Sequence, residues 1–328
     1  MNHYSDNFKT AAREKFFRRS CFFVLLFPFP HILSEGKKIA PHFPISKRGN
    51  ALKRKTGKQL ILLLFLLFAV TALQNFIQQR SRASLLHTDT CFTESFREQA
   101  LSPLLYQQLE AGNYTDGEFA DLLTATMLNQ RFYPKKISGD NCPYLRFKQD
   151  EYLFLKDSYS AIWNDLETFP IPARTGTDIQ EEISYENTFG ARRDYGGSRT
   201  HEGCDLFGRI SESGFYPVIS MTSGTVAKIG WLPLGGYRIG IRASHGGYFY
   251  YAHLASYEKN FQIGEPVKAG QILGYMGDTG YGEEGTAGKF QVHLHLGIYI
   301  DTQAGEELGV NPYYVLQAME KKAKKYTY

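Results

Sequence analysis

The chain lacks the charge pattern of a nucleic-acid-binding protein. Its 37 lysine and arginine residues barely outnumber its 33 aspartate and glutamate residues, and 13 of the basic residues lie in residues 1–58, beside only 3 acidic ones. After residue 58 the acidic residues are in excess, and no stripe of basic residues alternates with aromatic ones, as a nucleic-acid-binding surface requires. We therefore exclude nucleic acid as a partner.

Cysteine is also scarce, with 4 residues in the whole chain. Cys21 precedes the long apolar run described below, whereas Cys91, Cys142 and Cys204 follow it. This usage is consistent with export without demanding it. A Cys91–Cys142 disulfide and unpaired cysteines that pack as small hydrophobic side chains both fit the sequence.

Long apolar runs are few. The run from Cys21 to Phe29 is short and contains proline, so it cannot cross a bilayer as a helix. Residues 59–79 carry no charge and are long enough to span a membrane. Because basic residues precede this stretch, the positive-inside rule predicts a signal anchor, with residues 1–58 in the cytoplasm and everything after Arg80 outside the cell membrane. A cleaved signal peptide is the alternative, although no small-x-small cleavage site follows.

Residues 90–168 predict a small helical membrane-proximal domain. Three stretches within it lack glycine and place apolar residues at spacings of three to four: 101–109, 119–128 and 151–166. The segment Thr115–Glu118 predicts a capping box at the start of the second stretch. We expect the aromatic residues of this region, including Tyr152, Tyr159 and Trp163, to form its core. Paired prolines then break the helical pattern, so we expect a linker over residues 169–184.

The remaining sequence predicts an all-β domain over residues 185–312, followed by a C-terminal tail at 313–328. Of the 31 glycines in the chain, 24 lie between residues 190 and 309. They separate short runs rich in valine, isoleucine, tyrosine and phenylalanine, a texture typical of short strands joined by tight turns.

Histidines recur in three segments of this domain: Thr200–Asp205, Tyr250–Leu254 and Gln291–Leu296. Side chains alternate between the two faces of a strand. Alternation over residues 290–300 therefore places His293 and His295 on a polar face, opposite Phe290. Alternation over residues 248–254 places His253 on the face of Phe249 and Tyr251, opposite Ala252 and Leu254. Three imidazoles are thus predicted to converge on one open sheet face.

In these residues the chain resembles the lysostaphin-like, or LytM-type, zinc peptidases. Members of this family carry an HxxxD motif, a later histidine that follows aromatic residues, and a C-terminal HxH motif. The glycine-rich segments between these motifs are similar as well, and the resemblance spans roughly residues 185–312. It implies an antiparallel β domain with two facing sheets, of the duplicated-hybrid-motif type, and an open groove with the metal on its floor.

The resemblance also implies one Zn²⁺ per chain, bound by His201, Asp205 and His295, with His253 and His293 beside it as catalytic residues. Three protein ligands leave a fourth position for water, as in catalytic zinc sites. The metal would activate that water, one imidazole would accept its proton, and the other would stabilise the oxyanion or protonate the leaving amine. The sequence does not assign these two roles.

Tyr195 and Cys204 lie close to the first histidine motif and are weighed as further site residues. Tyr195 is a candidate oxyanion donor, or else an ordinary loop tyrosine. Cys204 is disfavoured as a fourth ligand, because it would close the site and has the opposite strand parity to Asp205. We interpret His87 and His245 as solvated or packed side chains. The connection that contains Tyr281–Lys289 is longer than is usual in the family and is expected to form a rim of the substrate groove.

The function implied by the resemblance is a membrane-tethered zinc endopeptidase that cleaves stem peptides or cross-links of bacterial peptidoglycan. The alternative is a catalytically silent relative that docks a partner in the cell envelope, although such relatives typically lose a ligand or a catalytic histidine and this chain keeps all five. A lipoyl-type carrier, suggested by Val267–Gly274, does not explain the histidines. The sequence predicts neither the scissile bond nor any protein partner.

Overall fold

The computed structural model of the protein describes residues 47–194 and 197–328, with side chains from residue 56 onward. The chain divides into two compact units, residues 1–84 and residues 85–328. In the first unit, helix α1 spans Lys47–Ala83. Its portion Thr56–Ala83 is, among the described residues, the one helix long and apolar enough to cross a membrane. The predicted span 59–79 lies within it, whereas the apolar run from Cys21 to Phe29 lies outside the described residues.

The second unit begins with helices and ends with a short one. Its described α-helices are α2 (Glu94–Arg97), α3 (Pro103–Glu110), α4 (Asp116–Asn129), α5 (Cys142–Phe147), α6 (Gln149–Trp163), α7 (Ile179–Glu182) and α8 (Tyr313–Met319), and 3-10 turns occur at Thr90–Phe92 and Glu320–Lys322. The three helical stretches predicted from the sequence correspond to α3, α4 and α6. Thr115 and Glu118 form the predicted capping box at the start of α4. These helices thus begin and end close to where local sequence places them.

The helices pack around a core of aromatic side chains. Tyr152, Tyr159 and Trp163 of α6 are all buried, as expected. The indole Nε1 of Trp163 donates a hydrogen bond of 2.9 Å to Oε1 of Gln99, which is itself fully buried. Pairing these two polar groups removes the cost of burying either one alone. Cys91 is a buried free cysteine, so the Cys91–Cys142 disulfide is not formed in this structure.

Fourteen short strands occur in the described part of the chain. They are β1 (Ala173–Arg174), β2 (Ile183–Tyr185), β3 (Arg192–Arg193), β4 (Arg199–Thr200), β5 (Cys204–Gly208), β6 (Pro217–Ile219), β7 (Gly224–Leu232), β8 (Gly236–Ala243), β9 (Tyr248–Tyr257), β10 (Pro266–Val267), β11 (Ile272–Met276), β12 (Leu294–Asp301), β13 (Glu307–Val310) and β14 (Lys325–Tyr326). Ten of them form one sheet, whose main path runs β10-β7-β8-β9-β12-β5-β2.

The mainly β, antiparallel character predicted for this region is confirmed, since every pair within the ten-stranded sheet is antiparallel. Strand β9 is its central element. Residues Tyr248–Ala252 pair with β12, whereas Leu254–Tyr257 pair with β11, so the sheet branches at His253. The duplicated two-sheet arrangement stays a prediction.

The segments predicted as linker and tail pack against each other. Phe169 and Ile171 are fully buried, β1 pairs with β14 in parallel, and Leu316 of α8 is buried as well. Helices and sheet belong to one compact unit. The division into a helical domain, linker, β domain and tail stays a prediction. In the structure the apolar side chains of residues 169–184 are buried. Their burial stabilises the fold, because it removes apolar surface from water.

Candidate active site and metal centre

The predicted site residues line one groove on the face of the ten-stranded sheet. The groove has a volume of about 960 Å³ and is lined by His201, Asp205, His253, His293 and His295 together with Arg193, Arg199, Arg238, Lys228, Glu202, Glu307, Tyr248, Tyr250, Tyr281, Tyr299 and Phe290, among others. All five sequence-predicted residues are therefore brought together. This size is in the range of pockets that hold small ligands or peptide segments.

Strand register brings the first three of these residues into contact. His295 of β12 lies directly opposite Asp205 of β5. The Oδ1 atom of Asp205 is 2.9 Å from Nδ1 of His295 and 3.1 Å from Nε2 of His201, and the two ring nitrogens are 3.1 Å apart. Gly203 makes this approach sterically feasible, since a Cβ at that position would come within 2.5 Å of the His295 ring.

The donor set fits a tetrahedral metal ion. Ligand distances of about 2.0–2.1 Å around zinc correspond to ligand–ligand separations of roughly 3.3 Å, close to the observed 2.9–3.1 Å. In the part of the chain that the structure describes, these residues are the one group of three potential ligands that converges in this way. Two imidazole nitrogens and a carboxylate oxygen are also chemically suited to zinc.

Neighbouring groups orient these ligands. The Nδ1 atom of His201 lies 3.1 Å from the carbonyl oxygen of Thr188, so with a metal bound a proton on Nδ1 would leave the Nε2 lone pair for the metal. Nη2 of Arg193 donates to Oδ2 of Asp205 at 2.7 Å. Burial opposes ionisation of Asp205, yet in the metal-free chain the hydrogen bonds that His201 and His295 donate to it hold the pKa of this carboxyl well below its usual range. The carboxylate is therefore ionised and available to a cation.

His253 and His293 lie beside the cluster, and both rings turn Nδ1 toward a backbone carbonyl oxygen. Nδ1 of His253 lies 2.8 Å from the carbonyl oxygen of Thr279, and Nδ1 of His293 lies 2.7 Å from that of Gln291. Each Nδ1 therefore carries the proton that it donates, and each Nε2 keeps a lone pair. Nε2 of His293 is 3.7 Å from Oδ1 of Asp205.

Both imidazoles are neutral near pH 7. His253 and His293 expose only 6% and 8% of their surface, and their ring centroids are 4.7 Å apart. Burial, followed by the charges of neighbouring histidines, lowers the pKa of His253 to about 3. Burial also lowers the pKa of His293, although Asp205 opposes the shift. A buried, uncharged imidazole with a free Nε2 can accept a proton.

The predicted facing of β9 was wrong, because a bulge interrupts the strand. His253 has a φ of +60°, a left-handed conformation in which histidine is found more often than most residues. The bulge changes the strand parity, so Tyr248 and Tyr250 line the groove with His253. Phe249 and Tyr251 are fully buried instead. Strict alternation could not anticipate an inserted residue.

The facing predicted for residues 290–300 is confirmed for the histidines but not for Phe290. His293 and His295 both line the groove. Phe290, which precedes β12, also lines the groove, with its ring centroid 4.6 Å from that of His253. Tyr281 packs on Phe290 at 4.7 Å. The long connection before β12 thus forms a rim of the groove, as expected.

The remaining candidates lie elsewhere. Cys204 is buried and its Sγ lies 3.4 Å from the carbonyl oxygen of Glu186, so it points away from the cluster, as its parity predicted. His245 is packed outside the groove, with Nδ1 2.9 Å from Asp165. Tyr195 lies outside the described residues. Sequence reasoning missed Thr188 and Arg193, since neither belongs to a motif and both act through contacts that form only in the fold.

Comparison with known proteins places the groove residues in a family context. Residues 199–307 match the sequence profile of peptidase family M23. The chain is 40% identical over 171 residues to the L-Ala–D-Glu endopeptidase of Bacillus subtilis, covering 52% of this chain and 49% of that protein. It is 40% identical over 83 residues to lysostaphin of Staphylococcus simulans, covering 25% of this chain and 16% of lysostaphin. The chain therefore spans half or less of the length of these relatives.

A solved structure extends the similarity beyond the β region. It comes from Ruminococcus gnavus and is described as a candidate glycyl-glycine endopeptidase of the lytM type, with 44% identity and a TM-score of 0.61. The match covers 72% of this chain and 94% of that one. Residues 185–328 make up less than half of the chain, so this match also includes residues of the preceding helices.

Proposed function

The chain belongs to peptidase family M23, and from this membership and the geometry of the groove we propose that it is a zinc-dependent endopeptidase acting on peptides of the bacterial cell wall. The observation that carries the proposal is the convergence of five side chains. Three offer ligand atoms 2.9–3.1 Å apart, and two present neutral imidazoles beside them.

Nε2 of His201, Oδ1 of Asp205 and Nδ1 of His295 would hold one zinc ion per chain. Zinc held by three protein ligands polarises a peptide carbonyl and lowers the pKa of a coordinated water toward ~7. Asp205 and His295 are partly exposed to the groove, whereas His201 is 2% exposed. The accessible side of the cluster therefore faces the space in which a peptide would lie.

His253 and His293 would move the protons of the reaction. Because each Nδ1–H is held by a backbone carbonyl, each Nε2 can accept a proton from the attacking water. The imidazolium that results can return that proton to the leaving amide nitrogen, or donate a hydrogen bond to the oxyanion. Proton transfer of this kind typically contributes about 10²–10⁴ to a rate.

The proposed substrates are peptides of peptidoglycan, either stem peptides or cross-links. The names of the similar proteins specify an L-Ala–D-Glu bond in one and a glycyl-glycine bond in another. Aromatic rings of Tyr281 and Phe290 on the rim, and of Tyr250 and Tyr299 within the groove, offer faces along which an extended peptide can pack.

We further propose that α1 anchors the protein in the cell membrane, with residues 1–58 in the cytoplasm and the peptidase region on the cell-wall side. The apolar portion Thr56–Ala83 supports this by its length and composition. An anchor would keep the enzyme close to an insoluble substrate.

Mass spectrometry of muropeptides tests the proposal. Purified peptidoglycan is incubated with the full chain in detergent, loaded with zinc, and in parallel with the His295→Ala protein. New peptide termini that appear only with the unsubstituted protein are expected, and they would name the bond. Absence of cleavage on several types of cell wall would instead favour a silent domain that docks a partner.

A further inference from the structure

The groove contains a cation whose hydrogen-bonding capacity is not used within the protein. Arg238 of β8 lines the groove. Its Nε and Nη1 atoms are buried, and no group in the described parts of the chain accepts a hydrogen bond from either. Leaving buried donors of a charged group without an acceptor is costly. Because Arg238 as a whole is partly exposed and lines the groove, an anion that enters the groove can approach it.

The acidic residues of the groove are already engaged elsewhere. Asp205 pairs with Arg193 at 2.7 Å, and Glu307 pairs with Lys228 at 2.8 Å. Glu202 pairs with Arg97 at 3.1 Å. Of the carboxylates that line the groove, none therefore neutralises Arg238.

Strand pairing places Arg238 beside the bulge that carries His253. Tyr237 pairs with Leu254 and Ile239 pairs with Tyr251, so Arg238 alone faces the two residues Ala252 and His253. Residues opposite each other on antiparallel strands have Cα atoms about 4.5–5.5 Å apart. Since the side chains of Arg238 and His253 both line the groove, the two residues are neighbours across this strand pair and face the same space.

Three tyrosines lie close enough to Arg238 for its charge to act on their hydroxyls. Burial raises the pKa of the Tyr248, Tyr250 and Tyr257 hydroxyls, and the positive charge of Arg238 opposes the rise in each case. Such a setting strengthens the attraction between a cation and an incoming anion, because the local dielectric constant is lower than in water.

We propose that Arg238 binds a carboxylate of the substrate next to the scissile bond, so that the groove selects acidic peptides over their amidated counterparts. This rests on the proposed endopeptidase function and narrows its substrate class. In a peptide with an L-Ala–D-Glu bond, one glutamate carboxyl forms the onward amide and the other stays free as an anion. A glycyl-glycine bond offers no such group. The geometry therefore favours the bond named for the Bacillus relative.

Arg199 is the other groove arginine with an unused donor, its Nε. Its Nη2, however, donates to the hydroxyl of Tyr281 at 3.4 Å. Arg238 combines two unused nitrogens with a position opposite His253, and it is therefore the residue assigned to the carboxylate.

Equilibrium binding tests the assignment without depending on turnover. The full chain with His293→Ala, zinc-loaded in detergent, is titrated by calorimetry with two peptides. The peptides are identical except that the free glutamate carboxylate of an L-Ala–D-Glu unit is a carboxamide in the second. With Arg238 present, the acidic peptide should bind about 10- to 100-fold more tightly, as expected for a charge-assisted hydrogen-bonded pair.

Substitutions at Arg238 should then remove this preference. Arg238→Gln should reduce the ratio of the two dissociation constants to about 1, and Arg238→Lys should give an intermediate ratio because it keeps the charge without the planar fork. Lys228→Gln is the matched control, since it removes a groove cation that Glu307 already pairs. It should keep the preference. Thermal melting of each variant verifies that it is folded.

Several results would overturn the assignment: equal binding of the two peptides, binding of neither, a preference that Lys228→Gln abolishes as fully as Arg238→Gln, or one that depends on Arg199 instead. Cleavage is read separately with the chain that keeps His293. Preferential binding of the acidic peptide without any cleavage would count against the endopeptidase function and not against the role of Arg238. Cleavage of both peptides with equal kcat/KM would count against Arg238 alone.

Discussion

At the scale of single residues, the position of one imidazole depends on an unfavourable backbone conformation. His253 has a φ of +60°, and its backbone N–H bonds to the carbonyl oxygen of Gly235 at 2.8 Å. Conformations of this kind cost of order 1–3 kcal/mol and persist where the surrounding structure fixes them. Here two flanking strands and the hydrogen bond from Nδ1 to Thr279 fix it. The imidazole of His253 therefore points into the groove, although the residues on either side of it, Ala252 and Leu254, are fully buried.

The burial of His253 predicts how the stability of the metal-free protein depends on pH. Burial lowers the pKa of this imidazole to about 3 in the folded chain, below the ~6.5 of an unfolded chain. Between these values the unfolded chain binds a proton that the folded chain does not. The contribution of His253 to the free energy of unfolding is therefore fully present above pH ~6.5. It is lost as the pH falls toward 3, by up to about 1.4 kcal/mol per pH unit.

Urea unfolding of the metal-free full chain in detergent at pH 7, 6 and 5, followed by tryptophan fluorescence, measures this slope. His253→Gln should make the free energy of unfolding less dependent on pH. Phe290→Leu, which alters packing against the same ring at 4.6 Å without removing a titratable group, should keep the slope of the unsubstituted chain. An unchanged slope in His253→Gln would contradict the prediction.

At the scale of elements, helix α6 and the hairpin between β8 and β9 are in close contact. A Cβ at Gly247 would lie 2.0 Å from the carbonyl oxygen of Ala161 in α6. At the same hairpin, His245 contacts Asp165, just after α6, through its backbone N–H at 2.7 Å. Helix α6 therefore packs against the ten-stranded sheet, which also forms the groove. It supports strand β9, which carries His253.

Gly247→Ala tests this contact. Because the added methyl group has no space, we expect a loss of about 1–3 kcal/mol in the free energy of unfolding, as for other overpacked sites. Gly117→Ala is the matched control. Nothing lies within 4 Å of a Cβ there, and a helical alanine should be neutral or stabilising by up to about 1 kcal/mol. Equal melting temperatures for Gly247→Ala and the unsubstituted chain would show that the helices and the hairpin do not pack together.

Elements set by local sequence were predictable, and elements set by distant contacts were not. Hydrophobic periodicity and the Thr115–Glu118 capping box located α4 correctly. The paired prolines after residue 169 predicted a linker, yet Phe169 and Ile171 are buried. The parallel pairing of β1 with β14 joins residues about 150 positions apart, and no local pattern signals such a contact.

The site shows the same contrast. Its five central residues were predicted from a resemblance and from spacing, and all five line one groove. Alternating residues on one strand share a face, as His293 and His295 do. The bulge at His253 could not be predicted, because one inserted residue reverses the facing of its neighbours without altering the composition. Arg193 and Arg238 could not be predicted either, since neither belongs to a motif and the fold alone brings them close to Asp205 and His253.

At the scale of the whole molecule, the described chain combines an apolar helix with a peptidase region. The portion Thr56–Ala83 of α1 has the length and composition to cross a membrane. Such a helix satisfies all of its backbone hydrogen bonds internally, as a bilayer requires. The proposed orientation rests on the basic residues before it and the positive-inside rule.

Cell fractionation tests the anchor. Replacing Leu62, Leu63 and Leu64 with arginine should move the chain from the membrane to the soluble fraction, since each charge at the centre of a span costs about 2.5–3.5 kcal/mol on insertion scales. The same three positions replaced with isoleucine should keep the chain in the membrane. In intact cells lacking a wall, an added protease should digest the region after residue 84 of the anchored chain. A protected region would contradict the proposed orientation.

The central claim is that one zinc ion held by His201, Asp205 and His295 supports peptide cleavage assisted by His253 and His293. Titrating the metal-free full chain with zinc while following both bound metal and cleavage of peptidoglycan tests it most directly. Activity should rise in proportion to bound zinc and stop rising at one ion per chain. His293→Ala should bind zinc as tightly but cleave about 10²–10⁴-fold more slowly. Full activity without metal, or unchanged zinc affinity in Asp205→Ala, would contradict the account.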